Sequence, residues 1–199
     1  MRRLYKFASV RERRLWIWTA LVVAAIYSTL GLAGKLAGFL RDRGRLDLTF
    51  FVCFLIVVVA IAASGLLRRP GWREIWVIVG TVAVYATVVL RTGIGPEERT
   101  HLFEYGLVAV LIQQALLERR RRGGRVRAPA LLAIAATAVL GWLDEGIQAV
   151  LPSRVYDIRD VGFNALAAIM SVTAGSALAW ARGRVAARLR RGADVMHEP

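Results

Sequence analysis

The sequence contains a single cysteine, Cys53, which lies inside an apolar block. One thiol cannot build a disulfide framework, and it cannot supply a cysteine-based metal site. The 18 glycines are scattered and form no phosphate-binding motif, and no serine stands in a nucleophile motif. These absences exclude a disulfide-stabilised fold and a P-loop enzyme, and they disfavour chemistry through a covalent intermediate.

Acidic residues are also scarce. The sequence has 14 Asp and Glu against 28 Lys and Arg, which gives a formal net charge of +14. Such a surplus can attract nucleic acid, but its position along the chain decides whether it does.

Long apolar blocks dominate what is present. Hydrophobic residues make up 57% of the 199 and charged residues 21%, and the mean hydropathy is +0.50. The apolar residues come in continuous runs rather than at amphipathic spacing, which is typical of membrane helices. The first run is too long for a signal peptide and no cleavage site follows it, so we expect a retained anchor. The sequence predicts an all-α, polytopic transmembrane bundle.

About six segments reach the length of roughly 20 residues that a membrane crossing needs. They cover residues 15–38, 48–67, 74–90, 101–117, 128–150 and 160–181.

The basic residues predict the orientation of these segments. If the N-terminus is cytoplasmic, the cytoplasmic pieces hold 20 of the 28 Lys and Arg but only five of the 14 acids. The positive-inside rule therefore favours cytoplasmic N- and C-termini. Positive charge on the cytoplasmic face is what membrane topology requires and what anionic lipid attracts. The cationic surplus therefore needs no nucleic-acid partner, and we expect none.

One stretch, residues 142–164, concentrates polar side chains between two apolar segments. Ionisable groups at the edge of a hydrocarbon layer are costly to desolvate, so their clustering indicates function. The polar residues of this stretch are Asp144, Glu145, Gln148, Arg154, Asp157, Asp160 and Asn164.

The fourth segment carries a matching set, His101, Glu104 and Tyr105, at positions i, i+3 and i+4 on one helical face. In the predicted topology these residues and the 142–164 stretch lie on the same, extracytoplasmic side. Thr137 and Gly141 continue a small-and-polar stripe along the fifth segment, which allows close helix packing. We therefore expect one shared polar pocket near the outer interface.

Structural roles account for part of this set. Asp157 or Asp160 is well placed to cap the sixth helix, and Arg154 to pair with one of these acids. His101 could hydrogen-bond a neighbouring carboxylate, and Tyr105 could be an interfacial aromatic. Adjacent Asp144 and Glu145 are harder to explain by stability, because each needs compensation in a low-dielectric site.

At these residues the chain resembles the VanZ-like membrane proteins. The matching motifs are HLFEYG, DEGIQ and R-x-x-D-x-x-D-x-x-x-N, in this order along residues 75–181. Ala167 and Ser171 stand where glycines are expected, and Arg91 stands where small hydroxyl residues are more usual.

The resemblance implies a bacterial envelope protein of the cytoplasmic membrane, in a family whose founding members are linked to reduced susceptibility to teicoplanin. It divides the chain into a two-helix extension at 1–74, a four-helix VanZ-like domain at 75–181 and a basic cytoplasmic tail at 182–199.

Three functions fit the polar set: an enzyme acting on a lipid-linked precursor, a binder of such a precursor or of a glycopeptide, and a network that only locks helices. The predicted catalytic residues are His101, Glu104, Asp144 and Glu145, because buried carboxylates and His exchange protons. The predicted substrate-binding residues are Tyr105, Gln148, Arg154, Asp157, Asp160 and Asn164.

Membrane lipids are the expected surroundings, and no cofactor is predicted. One histidine with several carboxylates can bind a divalent metal, but no HExxH-type spacing is present. A metal site is therefore a minor alternative and is not assigned. A transporter is disfavoured, because the acids gather at one surface rather than at the membrane midplane.

Overall fold

The computed structural model describes residues 7–46, 48, 49, 51, 52, 71–91, 96–151 and 156–195. No described residue belongs to a strand, which confirms the all-α class. Residues 48, 49, 51 and 52 are helical. The long helices are α1 (Val10–Asp42), α2 (Trp72–Arg91), α3 (Pro96–Arg121), α4 (Pro129–Gln148) and α5 (Ile158–Val195).

Three of these helices, α2, α3 and α4, begin and end within about five residues of the predicted segments. The other two are longer than predicted, with 33 residues in α1 and 38 in α5. Their extra turns are rich in arginine, which favours helix but is not apolar, so they do not count as part of a span. Most of the predicted segment 48–67 lies outside the described residues.

Within the described part of the chain, two helices are long and apolar enough to cross a membrane. They are α4 and the portion Ile158–Gly183 of α5.

The first of two compact units combines residues 1–46 and 95–172. In it α3 packs between α1 and α4. Its core is built of small and medium apolar side chains that allow the helices to approach closely. The most deeply buried are Leu102, Val108, Ala109, Ala115, Ala133, Ala167 and Ala168.

A tight turn makes α3 and α4 antiparallel neighbours. Gly123 has a positive φ of 85°, a conformation that glycine adopts without steric cost. The amides of Gly123 and Gly124 donate to the carbonyls of Arg120 and Arg119, at 3.1 and 3.0 Å, as in a Schellman C-cap. Pro129 then occupies the first turn of α4. As a result the start of α3 lies beside the end of α4.

Helix α1 begins with the N-cap Ser9 and a variant of the capping box, whose acid also anchors it to α3. The Ser9 hydroxyl accepts from the Glu12 amide at 3.0 Å, and the Glu12 carboxylate accepts from the Ala8 amide at 2.6 Å. The same carboxylate accepts from Arg119 Nε at 2.7 Å. Ser9 in turn donates to Glu118 at 3.0 Å. We call Ser9, Glu12, Glu118 and Arg119 the inner cluster.

The second unit combines residues 47–94 and 173–199. Helix α2 presents Trp72 and Trp76 in an edge-to-face pair with ring centroids 5.6 Å apart. An ion pair joins α2 to the later part of α5, where Arg182 Nε lies 2.9 Å from Glu74 Oε2.

Candidate functional site

Three buried ionisable side chains meet where the start of α3 lies beside the end of α4. His101 Nδ1 is 3.7 Å from Asp144 Oδ2, and one ligand-type atom each of His101, Asp144 and Glu145 lies within 4.8 Å of the others. Asp144 and Glu145 have no solvent exposure. We call these three residues the triad. They are residue types that serve as general acids and bases in enzymes and that bind divalent metals.

The buried face of α4 positions both carboxylates. Thr137, Gly141, Asp144 and Gln148 recur at helical spacing and are all buried, with Glu145 beside them. This is the stripe that the sequence indicated. Because α3 runs antiparallel to α4, the same face meets His101 near the C-terminal end of α4.

Glu145 is held by groups on both sides. Its Oε1 accepts from Gln148 Nε2 at 2.9 Å, and its Oε2 accepts from the Asp157 amide at 3.2 Å. Gln148 Nε2 also reaches Asp144 Oδ2 at 3.4 Å. One glutamine therefore orients both carboxylates, and the start of α5 is tied to the end of α4.

The two predicted aspartates of α5 lie in its first turn. The Asp157 carboxylate accepts from the Arg159 amide at 2.8 Å, the geometry of an N-cap. The Asp160 amide donates to the Asp157 carbonyl at 3.1 Å. Asp157 thus supports the triad through its main chain while its side chain caps the helix.

Asn164 joins α5 to α4 one turn before Asp144. Its Nδ2 lies 3.4 Å from the Gly141 carbonyl oxygen, and the side chain is fully buried. A Cβ on Gly141 would lie 2.5 Å from Asn164 Cβ, so only glycine allows this approach.

The other predicted residues of α3 flank His101. The Tyr105 ring stacks on the imidazole, with centroids 6.1 Å apart and planes at 22°. Its buried hydroxyl interacts electrostatically with Asp144. Glu104 is partly buried and lies within electrostatic range of Asp144. Arg154, the last predicted residue, lies outside the described residues.

Tyr27 of α1 was not predicted from the sequence. Its hydroxyl donates to the Leu140 carbonyl at 2.7 Å, one turn before Asp144, and it lies within electrostatic range of that carboxylate. A single tyrosine in an apolar segment carries no spacing signal. The inner cluster was also missed, although the S-x-x-E pattern at residues 9–12 could have indicated it.

Hydrogen bonds from Ser9 and from Arg122 lower the pKa of Glu118 below its ordinary value of 4.5. The inner cluster therefore keeps this carboxylate charged at neutral pH.

Comparison of the chain with protein-family models, with curated proteins and with solved structures finds no match.

Proposed function

We propose that this chain is a multi-pass protein of the bacterial cytoplasmic membrane, similar to the VanZ-like proteins, that acts on a lipid-linked cell-wall precursor at the outer face. One observation carries the proposal. In a chain that is 57% hydrophobic, His101, Asp144 and Glu145 converge from two helices into a buried site. Buried ionisable groups in membrane helices are costly and mark functional sites.

The arrangement of α3 supports an extracytoplasmic position. Residue 101 and the arginines at 119–121 lie at opposite ends of this helix, a separation of roughly 30 Å at 1.5 Å per residue. The arginine-rich turn belongs on the cytoplasmic side under the positive-inside rule. The triad would then lie near the outer interface, and six crossings would leave both termini in the cytoplasm.

In the proposed reaction His101 and Asp144 serve as acid and base, since their side-chain atoms lie 3.7 Å apart and a small rotation brings them within reach of a shared proton. Tyr105, Gln148 and Asn164 orient the substrate head group. Arg154 holds its anionic part, because a guanidinium binds phosphate in a bidentate manner. A teicoplanin-type glycopeptide is the alternative ligand for the same site.

The contacts of Glu145 favour a second candidate, a non-catalytic binder or helix-locking network. Both of its carboxylate oxygens accept hydrogen bonds from within the chain, as expected for a structural polar network. In that role the triad would specify helix packing rather than transform a ligand.

Glu145→Gln tests the two candidates, because the amide is nearly isosteric but cannot act as a base. We expect a deletion strain complemented with this variant to lose glycopeptide resistance and to accumulate the lipid-linked precursor seen in the deletion strain. Membrane abundance and the melting temperature in detergent should stay at wild-type values.

Glu118→Gln provides the matched control, since it makes the same change in the inner cluster, away from the triad. A wild-type phenotype of Glu145→Gln at normal abundance would remove Glu145 from the reaction. A lower melting temperature of Glu145→Gln together with the lost phenotype would favour the helix-locking network.

A further inference from the structure

The spacing of His101 and Asp144 suits two ligands of one metal ion better than a hydrogen-bonded pair. His101 Nδ1 and Asp144 Oδ2 are 3.7 Å apart, beyond the usual range of an N–H···O bond. Two ligands about 2.1 Å from one tetrahedral ion lie about 3.4 Å from each other. The ligand atom of Glu145 completes a group in which all separations are 4.8 Å or less. Small side-chain rotations would bring the three atoms onto one ion.

Burial adds a reason for a cation at this point. Two carboxylates with no solvent exposure lie on consecutive residues of α4, and like charges in a low-dielectric site repel strongly. A divalent ion between them neutralises both charges at once. One imidazole with two carboxylates suits Zn²⁺ and Mn²⁺.

The surroundings of the triad match the outer partners of a metal site. Ligating carboxylates in such sites are themselves hydrogen-bonded, which fixes their orientation. Here Gln148 donates to both carboxylates, and the Asp157 amide donates to Glu145. The partners that orient the carboxylates come from the end of α4 and the start of α5.

Tyr105 places a buried polar group beside the triad. Its hydroxyl is fully buried and has no hydrogen-bond partner within 3.5 Å among the described residues. The group that it faces is Asp144, with which it interacts electrostatically and through a longer side-chain hydrogen bond. Buried hydroxyls almost always bond a protein group, a water or a ligand. A water or an anionic oxygen on the ion would accept from this hydroxyl.

We infer that His101, Asp144 and Glu145 bind one divalent metal ion of the Zn²⁺ or Mn²⁺ type, with the Tyr105 hydroxyl beside Asp144. The spacing along the chain did not indicate this site, because the histidine and the carboxylates lie on different helices. The metal site goes beyond the proposed function and does not depend on it, since binding of the ion requires no precursor.

The test uses the full chain purified in detergent, stripped with a chelator and dialysed against Zn²⁺ or Mn²⁺ alone. Elemental analysis should find about one ion per chain for the wild type. His101→Ala, Asp144→Asn and Glu145→Gln should bind at least about 100-fold more weakly, because loss of even an outer partner costs 10–100-fold. Glu118→Gln, the control with an acid of the inner cluster replaced, should bind as the wild type does.

Co²⁺ substitution supplies a readout that a merely structural role would not change. Its visible absorption bands report the ligands directly, so they should appear in the wild type and in Glu118→Gln and be absent in His101→Ala. A wild-type protein that retains no stoichiometric Zn²⁺, Mn²⁺ or Co²⁺ overturns the proposal, even if every triad variant fails to fold. Equal binding by the wild type and the triad variants overturns it too. Because no lipid enters these measurements, failure here leaves the test of the precursor reaction intact.

Discussion

Among single residues, Gly141 sets how closely α5 approaches α4. Its missing side chain leaves room for Asn164, whose amide nitrogen contacts the Gly141 carbonyl oxygen one turn before Asp144. The same helix contains Gly146, where an added Cβ would meet nothing within 4 Å. The two glycines therefore form a matched pair on α4.

We predict that Gly141→Ala destabilises the protein by about 1–3 kcal/mol, the usual range for overpacking. The new Cβ would lie 2.5 Å from Asn164 Cβ, so α5 or the asparagine must move. Gly146→Ala should be neutral or stabilising by up to about 1 kcal/mol, because alanine favours helix. Thermal unfolding in detergent compares the two variants, and equal melting temperatures would contradict the close contact between Gly141 and Asn164.

The residues of the site were predictable to the extent that they share a helical face. Thr137, Asp144 and Gln148 repeat at helical spacing, which indicates one face from the sequence alone. Tyr27 could not be found in this way. Its place beside Leu140 depends on how α1 packs against α4, which no local pattern encodes.

At the scale of helices, the inner cluster joins the beginning of α1 to the end of α3. Glu12 is fully buried and Glu118 nearly so, and each contacts an arginine. Buried ion pairs are sensitive to the loss of one partner, because the remaining charge stays desolvated. This junction should therefore respond to acid more than the exposed surface does.

We predict that the stabilisation from Glu118 is lost at acidic pH. Its pKa is lower in the folded protein than the ordinary 4.5, because Ser9 and Arg122 donate to the carboxylate. The stabilisation is therefore complete above about pH 4.5 and falls as the pH drops toward the lower, folded pKa.

Melting temperatures measured between pH 6 and pH 3 test this expectation. The difference between the wild type and Glu118→Gln should be largest at pH 6 and should shrink toward pH 3. When Ser9→Ala is introduced into both proteins, the difference between their melting temperatures at pH 6 should become smaller. A gap that stays constant across the range would show that the charge of Glu118 does not stabilise the fold.

Helix positions were easier to predict than helix lengths. Segment α4 was found from its apolar run alone, whereas α5 continues to Val195 through charged turns. Hydropathy detects the part of a helix that suits lipid, and propensity extends the helix beyond it.

For the whole molecule, the proposed topology places the turn after α3 in the cytoplasm and the end of α4 outside. Val126 lies in that turn, and Val150 follows α4 with 83% of its surface exposed. Each can be replaced by a cysteine once Cys53→Ser has removed the native thiol.

We predict that a membrane-impermeant maleimide labels Val150→Cys in intact spheroplasts and labels Val126→Cys only after permeabilisation. The positive-inside rule gives the reason, since the arginines at 119–127 resist translocation. The reverse labelling pattern would invert the topology and place the triad on the cytoplasmic side.

The orientation stays a prediction that depends on counting charges along the sequence. The three residues of the triad were named from the sequence, but the distances between them were not. His101, Asp144 and Glu145 all stand among the predicted catalytic residues, and the structure places His101 Nδ1 3.7 Å from Asp144 Oδ2 on the next helix. Contacts between helices depend on packing, which residue spacing within one helix does not report.

The inner cluster also has a consequence for biosynthesis. Glu12 and Arg119 are 107 residues apart, and ribosomes add roughly 5–20 residues per second. About 5–20 s therefore pass between synthesis of the glutamate and of its arginine. During that interval the Glu12 carboxylate lacks the arginine that it contacts in the folded chain. Completion of α3 thus sets the earliest moment at which the Glu12–Arg119 contact can form.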